Sequence, residues 1–291
     1  MYRNFELESD IKLIGYEWKG ERPRSVVCLV HGIGEHAGRY DRIGEAFKEF
    51  GIALVGMDLR GHGLSSGKRG HTSPRKSILK DIDGLIEYCR WEYPDIPLFL
   101  YGHSMGGNIA LDYRRRGKHR AIPHGFVITS PWIILQRKIP RYLYLFSEIM
   151  AMIKPDFRMN SEIKDEVLGN KDIIDKQSNH HLRHGKISVK TALEGIEIGE
   201  ALLNNSLEII GEGPLKPFLL MQGDADKICD PEGSRRMAQL EKELCTYIEW
   251  EGLYHEIHNG SPTADGMEVI RAMIDWINNC KDEKTSSSVH Y

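Results

Sequence analysis

The sequence is poor in the features that mark secreted, membrane-spanning and nucleic-acid-binding proteins. Its 291 residues include five cysteines and no CxxC pair, so neither a disulfide framework nor a zinc ribbon is expected. No stretch approaches the ~18 uninterrupted apolar residues of a transmembrane helix. The 39 basic and 42 acidic residues leave a net charge of −3, which gives no general attraction to nucleic acid. The opening residues, MYRNFELESD, lack the apolar core of a signal peptide, so we expect a cytoplasmic protein.

Short apolar runs alternate with longer segments of helical periodicity, which is the pattern of βαβ units and a mostly parallel sheet. The apolar runs are nearly continuous, as in strands that are buried on both faces. Residues 5–19 alternate between apolar and polar and are predicted to form an antiparallel hairpin at the sheet edge. Strands are predicted at 25–31, 52–58, 98–103, 125–129, 217–222 and 245–250, and helices at 41–50, 74–90, 105–116, 231–243 and 265–279.

The alternation stops between residues 131 and 206, where no strand is predicted and the apolar spacing is helical. About 75 residues are too many for a loop inside a compact domain. We therefore interpret 131–206 as a helical cap inserted into an α/β core formed by 1–130 and 207–291. Within it, residues 140–154 place an apolar stripe between basic residues, and this stripe either packs over the core and pocket or contacts a lipid surface. The stripe consists of Tyr142, Leu145, Phe146, Ile149 and Ile153.

Two G-x-S-x-G patterns occur, one centred on Ser104 (GHSMG) and one on Ser65 (GLSSG). A nucleophilic serine of this type needs a strand before it, a helix after it and small residues two positions away on each side, because the turn is strained. PLFLYGH precedes Ser104 and GGNIALDYRRR follows it, whereas Ser65 is followed by GKRGHTSP, which is typical of a Gly-rich surface loop. Ser104 is therefore the candidate nucleophile, with a helix-capping serine as the alternative.

A serine hydroxyl needs a base, a carboxylate that holds the base, and hydrogen-bond donors for the developing oxyanion. On sheets of this kind the chain order is serine, acid, histidine. The spacing of residues along the chain does not select one acid or one histidine among the candidates that follow the last two predicted strands. The backbone amides of Ile33 and Met105 are the expected oxyanion donors. The acid candidates are Asp224, Asp226 and Asp230, and the histidine candidates are His255 and His258.

Residues 32–37 also fit G-x-G-x-x-A after a strand, with Asp58 about 24 residues further on, as in dinucleotide-binding proteins. We reject that alternative because Glu35 would place an anion beside the pyrophosphate. His180 and His184, with Asp175 nearby, have the spacing of a metal pair on a helix, but a solvated cap surface is the favoured interpretation. Neither a metal nor an organic cofactor is predicted.

Five runs resemble, in the same order, the monoacylglycerol lipase and lysophospholipase family of α/β-hydrolases. The resemblance covers nearly the whole chain and is weakest in the cap. It implies an α/β-hydrolase fold with a mostly parallel central sheet flanked by helices, and a mobile lid whose apolar inner wall holds the acyl chain. The runs are HGIGEHAGRY (31–40), DLRGHGLSSGKRGH (58–71), GHSMGG (102–107), QGDADKICD (222–230) and EGLYHEIH (251–258).

By the same resemblance the acid falls on Asp226, the histidine on His255, and the oxyanion amides on Ile33 and Met105. The resemblance further implies that three side chains line the polar end of the pocket, near a glycerol-like head group. The family carries a small residue after HG, where this chain has the bulkier Ile33. A bulkier side chain narrows the pocket at this point and so affects which acyl chains fit. The three head-group residues would be Glu35, Arg39 and His258.

We therefore expect a serine hydrolase that cleaves carboxylic esters of single-chain lipids, monoacylglycerol or lysophospholipid, through an acyl-serine intermediate. Ser104 attacks, His255 acts first as base and then as acid, and Asp226 orients the imidazole. The lipid preference comes from the resemblance, because the residues themselves indicate only acyl transfer. Alternatives are a short-chain carboxylesterase or an aminopeptidase on the same fold, or a ligand-sensing protein with incidental turnover. The expected partners are the lipid ester and, through the cap, a membrane surface; the sequence does not indicate an oligomeric state.

Overall fold

A mixed eight-stranded sheet forms the centre of the computed structural model, which describes residues 2–7, 9–161, 163–177 and 180–282. Its strand order is β1-β2-β4-β3-β5-β6-β9-β10, and every pairing from β4 to β10 is parallel. The described residues form ten strands: β1 Arg3–Leu7, β2 Leu13–Trp18, β3 Ser25–Val30, β4 Ile52–Met57, β5 Leu98–His103, β6 Gly125–Thr129, β7 Arg158–Asn160, β8 Lys186–Ser188, β9 Phe218–Gly223 and β10 Cys245–Trp250.

Helices cover both faces of this sheet, and each face carries its own cluster of buried apolar side chains. Strands β3 to β6 and β9 are buried at every position, because each of their faces is covered. The predicted α/β-hydrolase class, a mostly parallel sheet flanked by helices, is confirmed. The helices are α1 Asp41–Glu49, α2 Arg75–Glu92, α3 Met105–Arg116, α4 Arg141–Ile153, α5 Lys171–Asp175, α6 Val189–Leu203, α7 Pro231–Leu240 and α8 Met267–Asp282.

The strands and helices predicted in the core agree with the observed ones except at a few ends. The N-terminal hairpin is confirmed, since β1 pairs antiparallel with β2 at the sheet edge. Helix α7 ends at Leu240, three residues before its predicted end. Helix α8 begins at Met267 and not at residue 265, because the Asp265 carboxylate accepts the Met267 amide and ends the preceding turn.

Residues 131–206, which we call the cap segment, follow β6, contain helices α4, α5 and α6, and end in the loop before β9. The prediction that this segment contains no strand is wrong, because β7 and β8 form a two-stranded antiparallel sheet within it. Each strand is only three residues long and pairs with residues nearly thirty positions away, so sequence periodicity carries no signal for it. Helix α6 packs against α3 of the core and α4 packs against α6. None of the helices in the described part of the chain is both long enough and apolar enough to cross a bilayer.

Candidate active site

Ser104 lies at a sharp turn between β5 and α3, with a backbone φ of +55° and ψ of −118°. This conformation is strained for a residue with a side chain. Two glycines allow the helix to leave the strand this closely. A Cβ on Gly106 would lie 2.0 Å from the Val30 carbonyl oxygen, and one on Gly102 would lie 2.3 Å from the Gly106 carbonyl oxygen. The turn is held from the neighbouring strand, because the Ser104 amide donates to the Thr129 carbonyl over 3.0 Å.

The Ser104 hydroxyl is joined to an imidazole and a carboxylate by two short hydrogen bonds. His255 Nε2 lies 2.8 Å from Ser104 Oγ, and His255 Nδ1 lies 2.7 Å from Asp226 Oδ2. All three side chains are buried. Asp226 follows β9 and His255 follows β10, so the ends of two parallel strands bring these loops to the same edge of the sheet as the serine.

The Asp226 carboxylate is held on both oxygens. Its Oδ1 accepts the backbone amides of Ile228 and Cys229 at 2.8 and 3.0 Å, and its Oδ2 accepts Gln222 Nε2 at 2.9 Å besides His255. Burial alone would raise the pKa of this carboxyl, but the His255 imidazole and the backbone amides of Ile228 and Cys229 outweigh it and lower the pKa. Burial alone would lower the pKa of His255, but the Asp226 carboxylate outweighs it and raises the pKa. The carboxylate thus makes the imidazole a stronger base.

The structure separates the acid candidates that spacing left open. Asp224 accepts the Gly252 amide in a surface turn at 2.7 Å, and Asp230 caps α7 by accepting the Glu232 amide at 3.0 Å. His258, the other histidine candidate, is buried with its ring stacked on Tyr40 at a centroid distance of 5.3 Å. Asp226 and His255 are the members of the two sets that meet Ser104.

Ser65, at the centre of the second G-x-S-x-G, is buried, so the expectation of a surface loop there is wrong for this residue. Its hydroxyl donates to the Asp58 carbonyl at 2.6 Å and accepts the Ile14 amide at 2.9 Å. Asp58 itself accepts the amides of Ala37 and Leu64 and the hydroxyl of Tyr16. Asp58, which belongs to the rejected dinucleotide pattern, therefore holds two loops of the core together through these hydrogen bonds.

The two expected oxyanion donors flank Ser104. Met105 is the first residue of α3, where backbone N–H groups have no partner within the helix and the helix dipole favours negative charge. Ile33 lies in the loop after β3, and this loop runs directly against the serine, because a Cβ on the neighbouring Gly32 would lie 3.2 Å from Ser104 Cβ. Glu35 Oε1 accepts the Gly32 amide at 2.6 Å and so holds the loop in place.

Two cavities meet at Ser104 and Ile33. The larger, about 620 Å³, runs between the core and the cap segment and is lined mainly by apolar side chains such as Trp132, Leu143 and Leu193. The smaller, about 290 Å³, is polar. Its charged lining residues are Glu35, Arg39, Asp165, Arg183 and Glu256.

Of the three residues that the resemblance places at the polar end, Glu35 and Arg39 line the smaller cavity. His258 is not one of its lining residues, but its ring contacts that of His103, which is one. Burial lowers the pKa of His258 to about 4, so this ring is neutral near pH 7. Sequence reasoning missed Glu256, the residue after His255, which lines the cavity and contacts Arg39. The sequence pattern did not indicate it, because only the structure shows that Glu256 is buried and paired with Arg39.

The histidine pair that was considered as an alternative in the cap is not formed on one helix. His180 begins a three-residue 3₁₀ helix and its ring approaches the Asp175 carbonyl, whereas His184 follows that helix and lies half-buried against the core. The His184 amide donates to the Gly34 carbonyl at 2.9 Å. Cys229, close to the catalytic candidates, is buried in the wall of the apolar cavity, and burial raises the pKa of its thiol well above the ordinary range.

A serine on a strained strand-to-helix turn, joined to a histidine and an aspartate from later loops of a mostly parallel sheet, defines the α/β-hydrolases with a Ser–His–Asp arrangement. Residues 21–262 match the family described as serine aminopeptidase, S33, and the chain belongs to this family. The expected enzyme class, an ester hydrolase of the α/β-hydrolase fold, is confirmed by this match together with the relatives below.

The chain is 32% identical over 266 residues to phospholipase YtpA of Bacillus subtilis, covering 89% of this chain and 98% of that one. The crystal structure of Paleococcus ferrophilus monoacylglycerol lipase superimposes with a TM-score of 0.79 at 30% identity, covering 94% of this chain and 100% of that one. An abhydrolase domain-containing protein of Dictyostelium discoideum is 32% identical over 282 residues, and this chain spans 28% of its length.

Proposed function

We propose that the chain hydrolyses carboxylic esters of single-chain lipids and prefers those whose alcohol is neutral, monoacylglycerols above lysophospholipids. The observation that carries this proposal is the meeting of the apolar and the polar cavity at Ser104. An ester carbonyl at that junction directs its acyl chain into the apolar cavity and its alcohol into the polar one. The relatives named above support both lipid classes, since one is a phospholipase and the other a monoacylglycerol lipase.

In the proposed mechanism, Ser104 Oγ attacks the ester carbonyl carbon while His255 Nε2 takes the hydroxyl proton. Negative charge develops on the carbonyl oxygen, where the Ile33 and Met105 amides donate hydrogen bonds. The imidazolium, stabilised by Asp226, then gives its proton to the leaving alcohol as the carbon–oxygen bond breaks. A water molecule, deprotonated by the same imidazole, attacks the acyl-serine and releases the fatty acid and the free hydroxyl.

The charge of the polar cavity favours a neutral alcohol. Three carboxylates and two guanidinium groups line it, so with neutral histidines its charge is 2 − 3 = −1. Both guanidinium groups are engaged, Arg39 with Glu35 and Glu256, and Arg183 with both oxygens of Asp165. A phosphate would therefore meet an excess of negative charge, whereas glycerol hydroxyls can donate to the carboxylates.

We therefore expect kcat/KM for 1-dodecanoylglycerol to exceed that for dodecanoyl lysophosphatidic acid by about 10- to 100-fold, because the cavity repels the phosphate. The measurement is fatty-acid release from both substrates below their critical micelle concentrations. As a control, Asp165→Asn frees the Arg183 guanidinium and should speed lysophosphatidic acid hydrolysis while leaving the monoacylglycerol rate within about threefold. Equal or faster hydrolysis of the phosphate-bearing substrate by the unmodified enzyme would contradict the proposal.

Two further substrates test the alternative functions. Faster hydrolysis of p-nitrophenyl acetate than of long-chain esters would indicate a short-chain carboxylesterase, and release of p-nitroaniline from alanine p-nitroanilide would indicate an aminopeptidase. A ligand sensor would acylate Ser104 once and release product slowly, so a burst of one equivalent followed by negligible turnover would favour that function.

We further propose that the cap segment contacts a lipid surface through α4, with residues 131–206 acting as the lid. Among the stripe residues Tyr142 is 75% exposed and Ile153 is 74% exposed, and the adjoining Met152 is 86% exposed. The interpretation that this stripe packs over the core is therefore wrong. Helix α4 packs on α6 through the face opposite the stripe. Basic side chains surround the stripe and the rim of the apolar cavity, which suits an anionic surface. These residues are Arg137, Lys138, Arg141, Lys154, Lys164 and Lys227.

Leu145→Glu is expected to lower binding to vesicles of three parts phosphatidylcholine and one part phosphatidylglycerol by about tenfold or more, because a charge replaces an apolar group at the contact. The measurement is co-sedimentation at low ionic strength. Leu240→Glu is the matched control, since Leu240 on α7 is 52% exposed and Leu145 is 48% exposed. Hydrolysis of soluble p-nitrophenyl butyrate should be unchanged in both variants. Equal binding of Leu145→Glu and Leu240→Glu would contradict the lipid contact.

A further inference from the structure

Arg39 lies buried between two carboxylates that come from different loops. Its Nη1 donates to Glu35 Oε2 at 2.5 Å and to Glu256 Oε1 at 2.8 Å, and its Nη2 donates to Glu256 Oε2 at 3.0 Å. The remaining Nε donates to Gln177 of the cap segment at 2.8 Å. We call Glu35, Arg39 and Glu256 the ionic triad. The triad carries a net charge of −1 in a buried site, so its charges are costly unless they remain paired.

The first arm of the ionic triad reaches the loop that carries an oxyanion donor. Glu35 Oε1 accepts the Gly32 amide and, at 2.9 Å, the Tyr40 hydroxyl. Since Gly32 precedes Ile33, this bond restrains the peptide plane next to the Ile33 amide. Burial alone would raise the pKa of Glu35, but Arg39 outweighs it and lowers the pKa to about 2, so Glu35 is ionised and accepts strongly near pH 7.

The second arm reaches the loop that carries the base. Glu256 directly follows His255, and its backbone amide donates to the Leu168 carbonyl of the cap segment at 2.6 Å. Its side chain is held from the other side by Asn259 Nδ2 at 2.7 Å. The ionic triad thus joins the loop after β3, the loop after β10 and the cap segment around Ser104.

The ionic triad also contributes to the electrostatic environment of His255. After Asp226, the Glu256 and Glu35 carboxylates are the groups that raise the pKa of this imidazole. His103, whose ring centroid lies 5.0 Å from that of His255, is neutral near pH 7 because burial lowers its pKa to about 3. The titratable or charged groups around His255 are Asp226 and Cys229 after β9, His103 on β5, Glu35 and Arg39 after β3, and Glu256 and His258 of its own loop.

We propose that Arg39 and Glu256 are positioning residues of the acyl-transfer site: Arg39 holds the oxyanion loop and the His255 loop in register, and the Glu256 carboxylate stabilises the imidazolium. This inference rests on the proposed serine hydrolase mechanism. It assigns the two residues a task that remains when the substrate has no head group, which separates it from a role in recognising glycerol. The test therefore uses p-nitrophenyl butyrate, whose leaving group carries none of the hydroxyl groups of glycerol.

Glu256→Gln keeps the shape and one acceptor of the side chain and removes its charge. His255 must be neutral to take the serine proton, so kcat/KM rises with pH through the pKa of the imidazolium. Because the lost negative charge had raised that pKa, the acid limb of the pH profile should move to lower pH by about 0.5 to 1 unit. KM for p-nitrophenyl butyrate should stay within about threefold, and kcat at the optimum should fall by about threefold, since the base is weaker.

Glu249→Gln is the matched control, because Glu249 on β10 also binds an arginine, Arg235, through both oxygens but lines neither of the two cavities. It joins neither the oxyanion loop nor the His255 loop, so its acid limb should overlay that of the unmodified enzyme. An unshifted acid limb in Glu256→Gln, or equal shifts in the two variants, would overturn the electrostatic part of the proposal.

Arg39→Lys tests independently whether Arg39 positions the two loops. Lysine is a point charge and cannot bind both carboxylates with the planar geometry of a guanidinium group. We expect kcat to fall about tenfold with KM within about threefold, and the rate of Ser104 labelling by a fluorophosphonate to fall in parallel, since both reactions use the oxyanion donors. Unchanged labelling, or a rise in KM with unchanged kcat, would overturn the positioning role. Absence of both labelling and turnover in the unmodified enzyme would instead refute the proposed function itself.

Discussion

Replacing Ser104 by alanine is expected to lower kcat/KM for monoacylglycerol by roughly 10⁴- to 10⁶-fold, because no acyl-enzyme can form. His255 Nε2 then has no hydroxyl to deprotonate, although the oxyanion donors and both cavities remain. The measurement combines initial rates with intact-mass spectrometry after treatment with a fluorophosphonate. The unmodified chain should gain one adduct and Ser104→Ala none. Activity of Ser104→Ala above a few per cent of the original, or an adduct on it, would exclude the mechanism.

Ser65→Ala is the matched control, since Ser65 occupies the same position in the second G-x-S-x-G of the chain. It should keep the adduct and the turnover. Its hydroxyl is the acceptor for the Ile14 amide, so its loss should lower the free energy of unfolding by about 1 to 3 kcal/mol. Chemical denaturation of the two variants separates the effects: stability falls in Ser65→Ala, and catalysis falls in Ser104→Ala.

Asp226→Asn is expected to lower kcat by about 10³- to 10⁴-fold with the fold intact. The amides of Ile228 and Cys229 both donate to Oδ1, so the asparagine oxygen should occupy that position. Its NH₂ group then replaces Oδ2 and donates to His255 Nδ1, which forces the proton onto Nε2. In that tautomer the imidazole cannot accept the serine proton.

The control for this change is Asp224→Asn, two residues earlier on the same loop. Asp224 accepts the Gly252 amide in an exposed turn, so its replacement should leave kcat within about twofold. Stopped-flow acylation with p-nitrophenyl butyrate measures the step that the tautomer controls. Comparable losses in the two variants, or an Asp226→Asn rate within tenfold of the original, would contradict the assignment of Asp226 as the acid.

Local patterns predicted the parts of the molecule that depend on neighbours in the chain. The strands around residues 25–30, 52–57 and 98–103 were predictable because both of their faces are buried and their apolar runs are therefore continuous. The paired strands β7 and β8 were not predictable, since three-residue strands are set by a partner that is distant in sequence. The exposure of the α4 stripe was also open, because an amphipathic pattern states which face is apolar and not what covers that face.

The turn at Ser104 was determined by the sequence alone, because a strand, a helix and the glycines at 102 and 106 impose its geometry within a few residues. The choice of Asp226 over Asp224 and Asp230, the burial of His258 and the pairing of Arg39 with Glu256 were decided only by the tertiary structure. These features join side chains from loops as much as 217 positions apart in the chain. Their energies depend on distance and burial in space, and the spacing of residues along the sequence records neither.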